Sequence, residues 1–169
     1  MNSVPLISEY AAKGEKVEIL VWIGCAGAYD TRYQKVIASF LRLLQKASVQ
    51  FAVLGNEEGC TGDPARRAGN EFLFQMQALT NITTLNGYEV SKIVTTCPHC
   101  YNTLKNEYPA LGGKYEVIAH SVFLKQLIEQ GKLTFEKISQ SNSTITYHDP
   151  CYAGRINDII EEPRAVLQA

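Results

Sequence analysis

Apolar positions along this chain fall into short dense runs separated by longer stretches of helical period. Residues 17–23 (VEILVWI) are apolar nearly throughout, as a strand covered on both faces should be. Further short β-branched or aromatic runs follow at 51–54 (FAVL), 92–96 (KIVTT), 115–118 (YEVI) and 144–147 (TITY). Between them the period changes. Val36, Ile37, Phe40, Leu41, Leu43 and Leu44 recur at helical spacing through about Lys46, with Asp30 placed to cap the segment. Asp63 as cap and Pro64 at the first turn predict a long helix, broken near Asn81 or Asn86, whose Phe72, Phe74, Met76 and Leu79 are expected in the core. Residues 99–107 and 121–130 predict two more helices, and 131–143 a polar connection.

Strands alternating with helices at this spacing imply βαβ units, hence an α/β, Rossmann-like, mainly parallel sheet with right-handed crossovers. The organisation expected is an N-terminal arm at 1–16 packed on the body, a first cysteine-bearing domain at 17–143, and the start of a second, incomplete unit at 144–169. The last division rests on weak repetition. Ile19 to Gly27 and Ile145 to Gly154 both run strand, turn, cysteine, glycine. Apolar residues of the tail (Ile156, Ile159, Ile160, Val166, Leu167) recur as though made to cover a sheet, which predicts self-association or borrowed contacts unless the tail packs back on the first unit.

Composition removes several function classes. A net charge of −1 with no basic stripe argues against nucleic acid, and no apolar run reaches membrane-spanning length. Residues 1–16 lack the continuous apolar core of a signal peptide, so the expected location is cytoplasmic and reducing. Five cysteines, an odd number, in such a compartment point to metal or redox chemistry before a disulfide framework.

The cysteines fall at informative places. Cys97-Pro98-His99-Cys100 closes the 92–96 run, and Pro98 suits a first helical position, so both thiols are expected in an opening turn whose free N–H groups favour thiolate. Cys25 follows the first strand within Gly24-Cys25-Ala26-Gly27, and Cys60 lies in the glycine-rich loop after the second, followed by Thr61 and Gly62. In a parallel sheet the loops after the strands gather along one edge, so Cys25, Cys60, Cys97 and Cys100 are expected to converge there. Sulfur-only ligation suits zinc or an iron–sulfur cluster. Structural zinc usually takes two close ligand pairs, whereas here one pair is close and two ligands come singly from distant strands, which favours the larger iron–sulfur object. Backbone N–H groups of the glycines beside Cys25 and Cys60 are expected to tune it. A third reading, thiol–disulfide exchange at Cys97 and Cys100, leaves Cys25 and Cys60 without a role. His99 is expected around the site rather than as a ligand, His120 and His148 as structural residues, and Arg66, Arg67 and Arg155 as solvated surface.

The ordered set Gly24-Cys25, Cys60-Thr61-Gly62-Asp63-Pro64, Cys97-Pro98-His99-Cys100-Tyr101-Asn102-Thr103-Leu104-Lys105 and His148-Asp149-Pro150-Cys151-Tyr152-Ala153-Gly154-Arg155 resembles the cysteine-rich CCG-domain iron–sulfur proteins. These include the cysteine-rich subunit of heterodisulfide reductase and the iron–sulfur subunits associated with glycolate, lactate and glycerol-3-phosphate oxidation. The resemblance implies an electron-transfer module, with cluster ligands at Cys25, Cys60, Cys97 and Cys100, working in a larger assembly with a flavin-containing dehydrogenase and ferredoxin-type iron–sulfur subunits. It also implies that Cys151 is the first ligand of a second cluster whose other ligands this sequence lacks. Where the family motif has adjacent cysteines this chain has Cys60-Thr61, which favours a regular [4Fe–4S] cube and electron relay over direct disulfide reduction.

Overall fold

A computed structural model describes residues 4–135 and 144–169. The sheet has four strands, β1 (Ile19–Trp22), β2 (Phe51–Ala52), β3 (Lys92–Thr95) and β4 (Glu116–Ala119), all parallel in the order β2-β1-β3-β4. This is the expected α/β architecture. Between them come α1 (Ile7–Ala12), α2 (Gly24–Tyr29), α3 (Thr31–Lys46), α4 (Asp63–Arg67), α5 (Glu71–Gly87), α6 (Pro98–Asn102) and α7 (His120–Glu129); α8 (Cys151–Asn157) and α9 (Glu161–Gln168) close the chain. Side chains of β1 alternate between the two faces of the sheet. Ile19 and Val21 pack with Phe40, Leu44, Phe123 and Leu127 of α3 and α7, while Leu20 and Trp22 pack with Phe74, Ala78, Leu85 and Tyr101 of α5 and α6. Among the described residues no helix is long and apolar enough to cross a membrane.

Most predicted elements form where expected, and the exceptions have physical causes. The N-terminal arm packs on the body: Leu6 bridges to Val53 and Ile7 is buried. Asp30 caps α3 by accepting from the Tyr33 N–H at 2.6 Å. Residues 24–29, expected only to turn, form the short helix α2. The helix expected from Asp63 onward is two helices. Gly69, at φ +82°, turns the chain, and Asn70 caps the second by accepting from the Leu73 N–H at 3.0 Å. Asp63 is therefore the first residue of α4, with Gly62 before it at φ +87°, and α5 runs unbroken past Asn81. Only one of its four expected core residues is buried. Phe74 lies inside with Ala78, Asn81, Ile82 and Leu85, whereas Phe72, Met76 and Leu79 are exposed; α5 is apolar on both faces, so periodicity could not choose between them.

Residues 144–147 are irregular and exposed instead of forming a strand. They do not join the sheet, although β4 lies at its edge, and a lone extended segment leaves its hydrogen bonds to water. The polar connection expected at 131–143 lies largely outside the described residues. Beyond it, the tail folds back on the body, α8 against α6 and α9 against α7, burying Gly154, Ile159 and Pro163.

Candidate metal centre

The sheet order places a topological switch point between β1 and β3, because the chain leaves β1 toward β2 and returns to β3 on the other side. Crevices at such points, beyond the carboxyl ends of the strands, are where ligands bind in open α/β sheets. Cys25 follows β1 and Cys97 follows β3, so two of the thiols flank this crevice; Cys60 reaches it from the loop beyond β2. Gly24, Cys25, Cys60, Thr61, Asp63, Pro64, Arg67, Cys97, His99 and Cys100 line one cavity of about 410 Å³. A second cavity of about 600 Å³ shares Gly24, Cys25 and Cys60 and adds Glu58 and Tyr29. Cys25 is exposed, Cys60 and Cys97 are half-buried and Cys100 is buried.

Local structure sets the state of each thiol. Cys97 is the N-cap of α6 and Pro98 its first residue, so Cys100 sits in the first turn. A hydrogen bond with the Cys100 thiol, N–H groups of Cys100 and His99, and the nearby His99 together bring the Cys97 thiol down to about 6 against the opposing effect of burial. Cys100 moves the opposite way. Sharing that hydrogen bond with Cys97 and being buried holds it protonated, only partly offset by the Thr61 hydroxyl, which donates toward its sulfur from 3.9 Å. Burial raises Cys60 as well; the Gly62 N–H, 3.5 Å from its sulfur, opposes this, and the neighbouring Cys25, Asp63 and Cys97 add to it. A cation at the centre would reverse these penalties and stabilise every thiolate at once.

Two glycines make the approach possible. Gly24, at φ +75°, lies so close that a Cβ there would stand 3.4 Å from Cys100 Sγ, and a Cβ at Gly62 would meet Phe74 at 2.8 Å. Gly27, by contrast, packs against Ile23 and Ile37, where a side chain would clash at 2.8 and 2.9 Å.

Several residues around the site were not legible in the sequence. The Glu58 carboxylate accepts from the Ile23 N–H at 2.9 Å and the Gly24 N–H at 2.6 Å, and burial pushes its carboxyl up to about 7 against those two bonds. Asn81 Nδ2 donates to the Cys60 carbonyl at 2.8 Å and to Tyr108 Oη at 3.0 Å, while Tyr108 donates to the Thr61 carbonyl at 3.1 Å. The loop bearing Cys60 is thus held from below. Asp63, which was expected to cap a helix, instead lies 2.9 Å from His99 Nδ1 and accepts from Thr103 at 3.5 Å. His99 stacks on Tyr152 with ring centroids 4.2 Å apart. That contact brings α8 to the rim of the cavity. Cys151, its first residue, is exposed and outside the cavity lining. His120 is half-buried, edge-on against Phe40. Arg66 and Arg67, expected as solvated surface, both pair with Glu107, and Arg67 also pairs with Asp63.

The thiol-lined cavity has room for a polynuclear group. Among the described residues, no three His, Cys, Asp or Glu side chains are gathered closely enough to hold a single metal ion. A tetrahedral zinc would draw four sulfurs to about 2.3 Å of one point and leave no cavity between them.

This is a thiol-lined site at the switch point of a parallel α/β sheet, built from single cysteines of two strand ends and a C-x-x-C at a third. The chain belongs to the CCG cysteine-rich domain family, whose pattern matches residues 19–105. It is similar to a probable iron–sulfur-binding oxidoreductase, FadF, of Bacillus subtilis strain 168, with 46% identity over 98% of this chain and 23% of that protein. An EtfAB:quinone oxidoreductase of Syntrophomonas wolfei shares 46% identity over 92% of the chain and 22% of its own length. A subunit of the dihydromethanophenazine:CoB–CoM heterodisulfide reductase of Methanosarcina barkeri shares 35% over 90% and 38%. The chain therefore spans less than two fifths of each of these relatives. No solved structure matches it.

Proposed function

We propose that this chain is an iron–sulfur electron-transfer module of a larger oxidoreductase, with Cys25, Cys60, Cys97 and Cys100 as the ligands of one cluster, a [4Fe–4S] cube. The observation that carries the reading is the single cavity ringed by those four thiols, three of them brought together only by the crossovers of the sheet. When bound, such a cluster supplies one-electron relay at a potential tuned by hydrogen bonds to sulfur and by solvent exposure. The chain's own contribution is placement: α6 presents Cys97 and Cys100, the Asn81–Tyr108 pair supports the Cys60 loop, and the Thr61 hydroxyl faces Cys100. Relatives named as an EtfAB:quinone oxidoreductase and a heterodisulfide reductase subunit support work within a larger redox complex, and a flavin-containing dehydrogenase and ferredoxin-type subunits are the partners we propose there. Cys151 lies outside this cavity and is either a lone exposed thiol or, as the family resemblance implies, a ligand of a second site.

Anaerobic purification tests the reading. The expected product is brown, contains about four iron and four sulfide per chain, and bleaches with dithionite. Colourless protein with stoichiometric zinc would establish the alternative, a zinc ion held by the same thiols. A second reading, thiol–disulfide exchange, is favoured by the placement of Cys97 at the N-cap of α6 with Cys100 in its first turn. Metal-free protein that reduces a model disulfide through Cys97, unimpaired by Cys25→Ser and Cys60→Ser, would select it.

A further inference from the structure

The ligands Cys25 and Cys60 come singly from loops 35 residues apart, and neither has a partner close in sequence. Something must hold those loops in register before a cluster binds, because each ordered loop costs conformational entropy that a metal group would otherwise have to meet alone. The turn bearing Cys25 lacks a cap of its own. Its N-cap residue is Ile23, which has no side-chain acceptor, and Gly24 follows in a left-handed conformation. Two of the N–H groups left free at its start are those of Ile23 and Gly24, and the two oxygens of Glu58 accept from them. Glu58 is two residues before Cys60 and Gly24 one before Cys25, so the carboxylate ties the two ligand loops together at the positions next to the thiols.

We propose that Glu58 is a positioning residue, a clamp that sets the separation of Cys25 and Cys60 and so preorganises the half of the site contributed by isolated ligands. The Gly24 N–H, expected from sequence to serve cluster sulfur, is engaged by the clamp instead. Cys97 and Cys100 need no such device, since α6 fixes their spacing. The inference deepens the proposed function and rests on its ligand assignment, yet it describes the metal-free chain and can be tested there.

The probe is dibromobimane, which bridges neighbouring thiols, followed by peptide mapping of the bridged pairs in metal-free protein. Bridging of Cys97 to Cys100 is the internal control. Replacing both accepting oxygens (Glu58→Ala) is expected to lower the Cys25–Cys60 yield relative to the Cys97–Cys100 yield about fivefold, the scale of one to two lost hydrogen bonds. Glu58→Gln, isosteric and retaining one acceptor, should fall between and keeps the test decisive if the alanine variant does not fold. In reconstituted protein the same order, wild type slower than Gln and Gln slower than Ala, is expected for iron loss to a ferrous chelator. An unchanged bridging ratio in Glu58→Gln and Glu58→Ala overturns the clamp even if the wild type carries a cluster. A lowered ratio in a protein that binds zinc or no metal leaves the clamp standing and overturns the iron–sulfur reading alone.

Discussion

Thr61 occupies the position where the family motif has a second cysteine, and it is nearly inaccessible, at 2% exposure. Its hydroxyl faces the buried Cys100 sulfur, so the chain has exchanged a fifth thiolate for a hydrogen-bond donor. Donors to sulfur stabilise the more negative, reduced state of a cluster. Thr61→Val keeps the shape and removes the donor. Its reduction potential in redox titration should fall, by an amount on the order of tens of mV given the net worth of one hydrogen bond. At this scale the cysteines were legible because glycines, a proline and strand ends surround them. Glu58, Asp63 and Asn81 were not, because nothing in a sequence distinguishes a carboxylate or amide that turns inward onto a backbone N–H or carbonyl from one that faces water.

Elements proved legible where one physical signal acted alone. The dense apolar runs of β1 and β3 could only be buried strands, and Pro98 announced α6. Signals failed where two competed, as at Gly69-Asn70, where a turn and a cap divide an otherwise helical stretch, and at 144–147, where local propensity was not met by pairing with the sheet. The first residue of α7 yields a pH prediction. Burial holds the His120 imidazole below its ordinary value of 6.5, with a hydrogen bond to the Thr95 carbonyl pulling weakly the other way. Below that value the unfolded chain binds a proton that the folded chain does not, so stability falls as pH falls through 6.5 and is fully restored above it. Denaturant titrations of the metal-free protein should show this loss, at most about 1.4 kcal/mol per pH unit. His120→Phe, which retains the packing against Phe40, should lack that component of the slope.

For the molecule as a whole, the end of the chain is the feature that pattern alone left open. Its apolar stripe divides: Ile159 is buried with the α5 and α6 layer and Val166 packs with the α3 and α7 layer, while Ile156 and Leu167 remain exposed. Polar contacts complete the fold-back. Within the tail Arg164 makes two bonds to Asp149 at 2.8 and 2.7 Å, while Asn157 joins Asn102 and Asn106 of the body at 3.2 and 2.9 Å. The tail is thus packed and hydrogen-bonded on the body it follows. Ile159→Ala should then cost about 2–4 kcal/mol in chemical denaturation, as for other buried aliphatic truncations. A change within about 0.5 kcal/mol would mean that this segment is not docked in solution.

The graded burial of the four thiols gives the centre a front and a back. Cys100 lies beneath Thr61 and Tyr108, whereas Cys25 stands in the open and shares with Cys60 a second cavity leading to water. On the proposed ligand assignment, iron and sulfide would enter by that front, and oxidants from solvent would meet Cys25 before Cys100. Repair and decay therefore share a single doorway. On that assignment the exposed corner is the one first lost in air, while α6 keeps Cys97 and Cys100 at their spacing for the cluster to be rebuilt upon.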